Sequence, residues 1–291
     1  GVLVEGGWVT ESSYADAGTG EYRRQQSRIG QRITATEPGR YHLYVANACP
    51  WCHRTLIYRT LKGLEGTVSI GRVEPAMLGD GWTFREPDPV TGARTVYELY
   101  QRADPHYTGR ATVPILWDLK TQTIVNNESS DIIRMFVPHS TLRPPALADE
   151  IEADNERIYD TVNNGVYRAG FATRQSAYES AVRSLFESLD WIESRLARQR
   201  YLLGDMITEA DRRLFPTLVR FDAVYYGHFK CNLRHVYEYP ALWAYTRKLY
   251  HVPGIADTVF LDEYKQHYYL SHRNINPTGI VPAGPHLDFS V

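Results

Sequence analysis

Cys49 and Cys52 are the residues of this 291-residue sequence whose type and spacing best support chemistry. They lie in the segment Cys-Pro-Trp-Cys-His, between an aromatic and β-branched run from Tyr41 to Ala46 and a run with helical periodicity. This pattern predicts a strand, a turn and a helix. Pro50 suits the first helical position, so Cys49 is predicted to be the N-cap residue. The free amides and dipole of a helix N-terminus favour the thiolate, which is the nucleophilic form of cysteine.

The Cys-x-x-Cys pair has other interpretations. The same pattern is found in zinc sites and among buried structural cysteines. When His follows, as His53 does here, it is also the pattern of a c-type haem attachment site. Zinc needs two more ligands, whereas the third cysteine, Cys231, has no partner close in sequence. Haem attachment needs an exported protein with an axial ligand. Redox or thiol-transfer chemistry is the leading interpretation, and structural cysteines stay an alternative.

The composition excludes several classes of function. Lys and Arg number 32 and Asp and Glu number 34, so the net charge of −2 predicts no surface for nucleic acid or an acidic membrane. Three cysteines form no even disulfide framework, which favours a reducing compartment. No apolar run approaches transmembrane length, and the first residues lack the apolar core of a signal peptide. We expect a cytoplasmic protein that uses no metal and binds small molecules or protein.

The elements around the two cysteines predict a compact α/β unit over residues 41–137. The Val113-Pro114 step before an apolar run suits an edge or cis-proline geometry. Glu128 to Asp131 supplies capping residues for a helix that runs through Phe136. The other predicted elements, in chain order, are strands at 41–46 and 68–73, a Gly- and Pro-rich loop at 75–89, a short helix at 96–103 and a strand at 123–125.

The rest of the chain predicts an arm, a linker, a helical domain and a tail. Residues 1–40 are polar and broken by glycines, and residues 138–147 contain three prolines, as a linker does. Helical periodicity then dominates residues 148–270, and residues 271–291 predict an irregular tail. The predicted helices cover 148–163, 175–198, 209–229, 240–250 and 259–269, the third opening on a capping pattern at Thr208 and Asp211.

Four motifs in order carry a resemblance to a known family. They are 48–51 (Ala-Cys-Pro-Trp), 109–114 (Gly-Arg-Ala-Thr-Val-Pro), 163–172 (Asn-Asn-Gly-Val-Tyr-Arg-Ala-Gly-Phe-Ala), and 267–269 (His-Tyr-Tyr) with 276–279 (Asn-Pro-Thr-Gly). The chain resembles the glutathione transferase superfamily and, within it, the Xi class, the glutathionyl-hydroquinone reductases. The resemblance implies a thioredoxin-like α/β domain followed by an all-α domain. The chain departs from the family at Cys52, where alanine is common.

The resemblance implies a glutathione-dependent reduction of glutathionyl-hydroquinones. The Cys49 thiolate would take the glutathionyl group from the substrate, and a second glutathione would resolve the mixed disulfide to give oxidised glutathione. Tyr167 and Tyr268 match tyrosines near the family's aromatic site and are expected to hydrogen-bond the ring oxygens, although without the motif either tyrosine is equally consistent with core packing. Cys52 is a candidate resolving thiol. The family is also expected to form homodimers.

Five further residues are expected to bind glutathione. Val113 would pair its backbone with the tripeptide as an added strand. Glu128 would hold the glutamyl ammonium, and Ser129, at a helix N-terminus, would hold a carboxylate. Arg110 is a candidate carboxylate partner, with a solvated surface charge as the alternative. Trp82 matches a tryptophan that the family places against glutathione.

Two other functions stay open on sequence alone. One is a dithiol disulfide oxidoreductase in which Cys52 resolves Cys49 and a stable disulfide forms after oxidation. The other is a redox-silent ligand-binding protein, in which Cys49 would titrate as an ordinary thiol.

Overall fold

The computed structural model describes residues 1–10, 13–27, 29–137 and 141–290. Two structural units divide these residues, and both units are built from more than one segment of the chain. The first unit contains the described residues of Gly1–Ser13, Gln25–Pro138 and Asp262–Ser271. The second contains those of Tyr14–Arg24, His139–Leu261 and His272–Val291.

A four-stranded mixed sheet is the framework of the first unit. Strand β3 (Tyr41–Val45) pairs in parallel with β4 (Val68–Arg72) and antiparallel with β5 (Ile115–Asp118). Strand β6 (Thr123–Asn126) pairs antiparallel with β5, so the strand order is β4-β3-β5-β6. All five residues of β3 are buried, as expected for an internal strand covered on both faces. This strand leads directly to the turn that carries Cys49.

Helices cover this sheet at the predicted positions. Helix α1 (Pro50–Leu61) packs against α3 (Ser129–Phe136), and α2 (Val96–Ala103) lies against β6. The Val113-Pro114 peptide bond is cis, which is one of the two geometries that the sequence suits. Helix α10 (Leu261–Ser271) also packs within this unit from its second residue onward. The predicted thioredoxin-like α/β domain followed by a helical domain is confirmed.

The N-terminal arm contains a hairpin that the sequence pattern does not reveal. Strands β1 (Val2–Val4) and β2 (Gly7–Val9) pair antiparallel, and each is too short to show a period. Gly6 has φ of +78°, and a Cβ there would lie 2.0 Å from the carbonyl oxygen of Pro105. Only glycine fits this turn, because both the backbone conformation and the contact exclude a side chain.

Helices make up most of the second unit. The predicted helix starting at Thr208 is confirmed, because the Thr208 backbone N–H donates to Asp211 Oδ2 at 2.7 Å in a capping box. Among the described residues, no helix is both long and apolar enough to cross a membrane. The α-helices are α4 (Ala148–Ile158), α5 (Gly165–Gly170), α6 (Gln175–Leu196), α7 (Glu209–Arg220), α8 (Tyr226–His228) and α9 (Pro240–Tyr250), with π-helical turns at Tyr159–Asn163 and Phe221–Tyr225.

The predicted domain boundaries stay a prediction. The contacts group residues 14–24 of the predicted arm with the helices, and α10 of the predicted helical domain with the sheet. Three residues of the predicted linker, Pro138, His139 and Ser140, lie outside the described residues. Periodicity identifies a helix but does not indicate which neighbour buries its apolar face.

Asp118 predicts a pH dependence of the stability of the sheet. Its carboxylate accepts hydrogen bonds from Arg40 Nη2 at 2.7 Å and from the Lys120 backbone at 2.8 Å. The Arg40 bonds, above all, lower the pKa of Asp118 to about 2. Since this pKa is below the unfolded value of about 3.9, the charged form stabilises the fold above the unfolded pKa, and this stability is lost as pH falls through the folded pKa.

We therefore expect Asp118→Asn to lower the free energy of unfolding at neutral pH. The difference from the wild type should shrink between about pH 4 and pH 2, where the wild-type carboxylate becomes protonated. Urea unfolding at a series of pH values measures this difference. A difference that does not vary with pH contradicts the role of the charge.

Candidate active site

Cys49 lies in the turn between the end of strand β3 and the start of helix α1. It is the N-cap residue, Pro50 follows at the first helical position, and both predictions are confirmed. The Cys49 Sγ accepts a hydrogen bond from the Cys52 backbone N–H at 3.5 Å. Only 7% of the residue is exposed. A sulfur in this position can accept hydrogen bonds from the free backbone N–H groups of the helix N-terminus. These groups stabilise a thiolate more than a thiol.

Cys52 lies one turn into α1 and is fully buried, with an exposed fraction of 0%. Its Sγ accepts a hydrogen bond from the Ala46 backbone N–H at 3.4 Å, so the side chain points toward the end of β3. Cys49, Cys52 and Cys231 are all free thiols in this structure. The two sulfurs of the Cys-x-x-Cys segment therefore differ, since one caps the helix and the other is enclosed beneath it.

Val113, one of the predicted glutathione-binding residues, lies beside the thiol. Its carbonyl oxygen is 3.7 Å from Cys49 Sγ, and its side chain is buried. The segment enters β5 through the cis bond to Pro114. The fold therefore brings together Cys49 and Val113, which are 64 residues apart in the chain.

Glu128 and Ser129 form the N-terminus of α3. Glu128 is the N-cap residue, and its carboxylate accepts a hydrogen bond from the Ser130 backbone N–H at 3.1 Å. Ser27 Oγ donates to the other carboxylate oxygen at 3.3 Å. Ser129 is the first residue of the helix and is 97% enclosed, with 3% exposed. A carboxylate and a helix N-terminus side by side suit a ligand that carries both an ammonium and a carboxylate.

Arg110 is tied to the N-terminal segment in this structure. Its Nη2 donates to the Ser13 carbonyl at 2.7 Å, and its backbone N–H donates to Gln25 Oε1 at 2.9 Å. The structure leaves its predicted role untested.

Trp82 and Tyr268 lie on either side of His267. The Trp82 and His267 rings stack with centroids 4.7 Å apart, and the Tyr268 ring meets His267 edge-on at 4.9 Å. His267 Nδ1 lies 2.8 Å from the Pro75 carbonyl, so this nitrogen carries the proton and donates. Tyr268 is fully buried, whereas its neighbour Tyr269 is partly exposed. Helix α10 thereby brings one predicted tyrosine beside the predicted tryptophan.

A second contact joins α10 to the turn before the thiol. Asn47 Nδ2 donates to Glu263 Oε1 at 3.1 Å, and Asn47 Oδ1 accepts from Arg72 Nε at 3.2 Å. Asn47 comes two residues before Cys49, so α10 is hydrogen-bonded to the turn that leads to the nucleophile. Sequence reasoning missed Asn47, Glu263 and His267 as supporting residues, and only the proximity of His267 to Tyr268 in the sequence offered a signal.

Tyr167 belongs to the second unit and lies on α5 in an aromatic cluster. Its ring is 5.3 Å from that of Phe229 and 6.0 Å from that of Tyr22, between centroids. Tyr22 comes from the segment predicted to be an arm with scattered aromatic anchors, and the sequence does not indicate which ring it meets. Tyr167 keeps a partly exposed surface, whereas Phe229 is fully buried.

The first unit therefore supports nucleophilic chemistry by a thiolate at Cys49. The backbone of Val113 and a charged helix N-terminus at Glu128 lie in the same unit. Among the described residues, no cluster of three or more His, Cys, Asp or Glu side chains could hold a metal ion. Cys231 is fully buried, and burial raises the pKa of its thiol, so it is unsuited to be a nucleophile.

Two family profiles match the sequence. The profile of the glutathione S-transferase N-terminal domain matches residues 48–137, and that of the glutathione S-transferase C-terminal domain matches residues 175–248. The first of these begins one residue before Cys49. Together the two profiles cover the thiol, strands β4, β5 and β6 of the sheet, and most of the helical segment.

Curated relatives match along nearly the whole chain. The chain is 48% identical over 302 residues to the glutathionyl-hydroquinone reductase PcpF of Sphingobium chlorophenolicum. This match covers 98% of this chain and 96% of the relative. The chain is 47% identical over 315 residues to the glutathionyl-hydroquinone reductase YqjG of Escherichia coli K12, with 99% and 96% covered.

Solved structures agree with these relatives. The glutathione-bound structure of YqjG superposes with a TM-score of 0.89 at 48% identity, covering 99% of this chain and 97% of that one. The Xi class glutathione transferase of Natrialba magadii superposes with a TM-score of 0.92 at 44% identity, covering 100% and 94%.

Proposed function

This chain belongs to the Xi class of the glutathione S-transferase superfamily, and from that premise we propose that it is a glutathionyl-hydroquinone reductase that uses glutathione as co-substrate. The observation that carries the proposal is the position of Cys49. Its sulfur caps α1 and lies 3.7 Å from the carbonyl of Val113, the residue expected to pair with glutathione. A nucleophilic thiol beside a glutathione-binding backbone is what thiol transfer requires.

In the first step, the Cys49 thiolate attacks the sulfur of the glutathionyl-hydroquinone. A sulfur–sulfur bond forms, the carbon–sulfur bond breaks, and its electron pair passes to the ring carbon, which takes up a proton. The products are a mixed disulfide of Cys49 with glutathione and a free hydroquinone. The thiolate of a second glutathione then attacks the mixed disulfide, releasing oxidised glutathione and regenerating the Cys49 thiolate.

The ring carbon is a poor leaving group, so the ring needs stabilisation while the bond breaks. We assign this role to Tyr167 and Tyr268, whose hydroxyls would hydrogen-bond the ring oxygens in a protonated or keto form. The partly exposed surface of Tyr167 supports a contact with a ligand. Tyr268 is supported by its position beside His267, which stacks on Trp82.

Glutathione would be held by residues of the first unit. Val113 would offer its backbone to the tripeptide, and Glu128 and Ser129 would hold the ammonium and carboxylate of the glutamyl group. Trp82 would pack against the tripeptide, and Arg110 would bind a carboxylate. The support for this set is that Glu128 and Ser129 share one helix N-terminus, and that Val113 adjoins the thiol.

The proposal also covers assembly and location. The likeness to the Xi class supports a homodimer. Three free cysteines support a reducing compartment such as the cytoplasm, because thiols stay unpaired there.

A turnover assay tests the proposed function. The purified protein, glutathionyl-hydroquinone and glutathione are incubated together, and the products are separated by chromatography. We expect hydroquinone and oxidised glutathione to form in equal amounts. Absence of product release from folded protein would contradict the proposal.

Cys52→Ala is expected to keep most of this turnover. Free glutathione can resolve the mixed disulfide, and Cys52 is fully buried with its sulfur bound by the Ala46 amide. Steady-state rates of wild type and variant, measured over a range of glutathione concentrations, check this. A variant that stops at the Cys49 adduct would instead favour the dithiol oxidoreductase, in which Cys52 is the resolving thiol.

A further inference from the structure

The phenol of Tyr100 joins two segments that are separate in the chain. Tyr100 lies in α2 and is fully buried. Its hydroxyl donates to the Thr112 carbonyl at 2.8 Å and accepts from Asn127 Nδ2 at 2.9 Å. The Thr112 backbone N–H also approaches the phenol oxygen at 3.3 Å. One oxygen atom thus connects residue 112 to residue 127.

The phenol proton is assigned to the shortest contact at this oxygen, the Thr112 carbonyl at 2.8 Å, and Thr112 Oγ1 also lies 3.3 Å away. A phenol has a single proton, and here the phenol uses it to donate a hydrogen bond to the Thr112 carbonyl. The phenol oxygen can therefore only accept from Asn127, so the nitrogen of the Asn127 amide faces Tyr100. Burial raises the pKa of Tyr100 to about 12, so the proton stays in place at neutral pH.

Both segments lead directly into the proposed glutathione site. Thr112 precedes Val113, whose carbonyl lies 3.7 Å from Cys49 Sγ. Asn127 precedes Glu128, the N-cap residue of α3. The distance between the backbone that pairs with the tripeptide and the helix N-terminus that holds its glutamyl group therefore depends on where residues 112 and 127 are held.

We propose that Tyr100 is a positioning residue that sets the spacing between the Val113 backbone and the Glu128–Ser129 helix start for glutathione. The inference rests on the proposed function, because it assigns glutathione to these residues. Tyr100 does not touch the reacting atoms. It acts through Thr112 and Asn127, and its loss should weaken glutathione binding without changing the chemistry of Cys49.

Tyr44→Phe is a matched control for Tyr100→Phe. Tyr44 is also a fully buried tyrosine of the first unit, and its hydroxyl donates to Asp88 Oδ2 at 2.7 Å. Each variant removes one buried phenol oxygen and leaves the ring. Both should lower the melting temperature by a similar amount, about 2–4 °C, because each removes a buried hydrogen bond of the phenol. Of these two tyrosines, only Tyr100 bonds to both segments of the site, which are also paired further along as strands β5 and β6.

The test measures the dissociation constant of reduced glutathione by calorimetry for the wild type, Tyr100→Phe, Tyr44→Phe and Asn127→Ala. We expect binding about two- to tenfold weaker for Tyr100→Phe and Asn127→Ala, and unchanged for Tyr44→Phe. The rate of Cys49 alkylation by iodoacetamide without glutathione should be equal in all four proteins. Should Tyr100→Phe fail to fold, Asn127→Ala still breaks the connection on one side.

Three outcomes separate the inference from the function on which it rests. If the wild type binds glutathione, and Tyr100→Phe and Asn127→Ala bind it with the same affinity, the inference alone is overturned. Equal weakening in Tyr44→Phe also overturns it, because the effect would then be a general loosening of the domain. Absence of glutathione binding to the wild type overturns the proposed function.

Discussion

Replacing Cys49 by serine is expected to abolish reduction of glutathionyl-hydroquinones, with a loss of about a thousand-fold or more. A serine hydroxyl forms no comparable anion at neutral pH, so it cannot attack the glutathione sulfur. The fold should survive, because serine is a preferred N-cap residue and its oxygen can accept the Cys52 N–H that Cys49 Sγ now accepts. Turnover assays and circular dichroism of the variant check both parts.

Cys231→Ala is the matched control for this loss. Cys231 is the fully buried cysteine of the second unit, and burial raises the pKa of its thiol. Its removal should leave turnover close to that of the wild type. Substantial residual turnover in Cys49→Ser, or an equal loss in Cys231→Ala, would contradict the assignment of the nucleophile.

Tyr167→Phe and Tyr268→Phe are each expected to slow the reduction of glutathionyl-hydroquinones by about ten- to a thousand-fold. Each variant removes a hydroxyl that would stabilise the ring oxygens while the carbon–sulfur bond breaks. Reduction of a simple mixed disulfide involves no ring, so its rate should barely change. Rates with both substrates, measured on each variant, give the ratio that tests this role.

Tyr269→Phe is a matched control on the same helix. Tyr269 neighbours Tyr268 but is partly exposed, whereas Tyr268 is fully buried. A loss on both substrates in Tyr167→Phe or Tyr268→Phe would mean that the tyrosine only supports packing. A loss with the glutathionyl-hydroquinone alone that occurs in Tyr269→Phe but not in Tyr268→Phe would mean that Tyr269, and not Tyr268, hydrogen-bonds the ring oxygen.

Local chemistry is the part of the fold and of the site that the sequence predicted well. The position of Cys49 at the N-cap follows from Pro50 beside it, and the capping box of α7 follows from Thr208 and Asp211 three residues apart. Both depend on side chains within one turn of the helix that they start. The cis bond at Pro114 also concerns one residue pair, and it is one of the two geometries that the sequence suited.

Contacts between distant segments are the part that the sequence could not predict. Tyr100, Thr112 and Asn127 meet through one oxygen atom, and nothing in their spacing indicates this. Similarly, α10 has an ordinary helical pattern, but it packs with the sheet through Asn47 and Glu263, 216 residues apart. Periodicity predicts which face of an element is apolar, whereas its partner depends on tertiary packing.

The central claim, that Cys49 takes the glutathionyl group from its substrate, is tested most directly by intact-protein mass spectrometry. Wild-type protein is incubated with a glutathionyl-hydroquinone in the absence of free glutathione, and the modified peptide is then sequenced. We predict a gain of one glutathionyl group on Cys49, removed by added glutathione. An unmodified protein, an adduct that retains the quinone ring, or a glutathionyl group on another cysteine would contradict it.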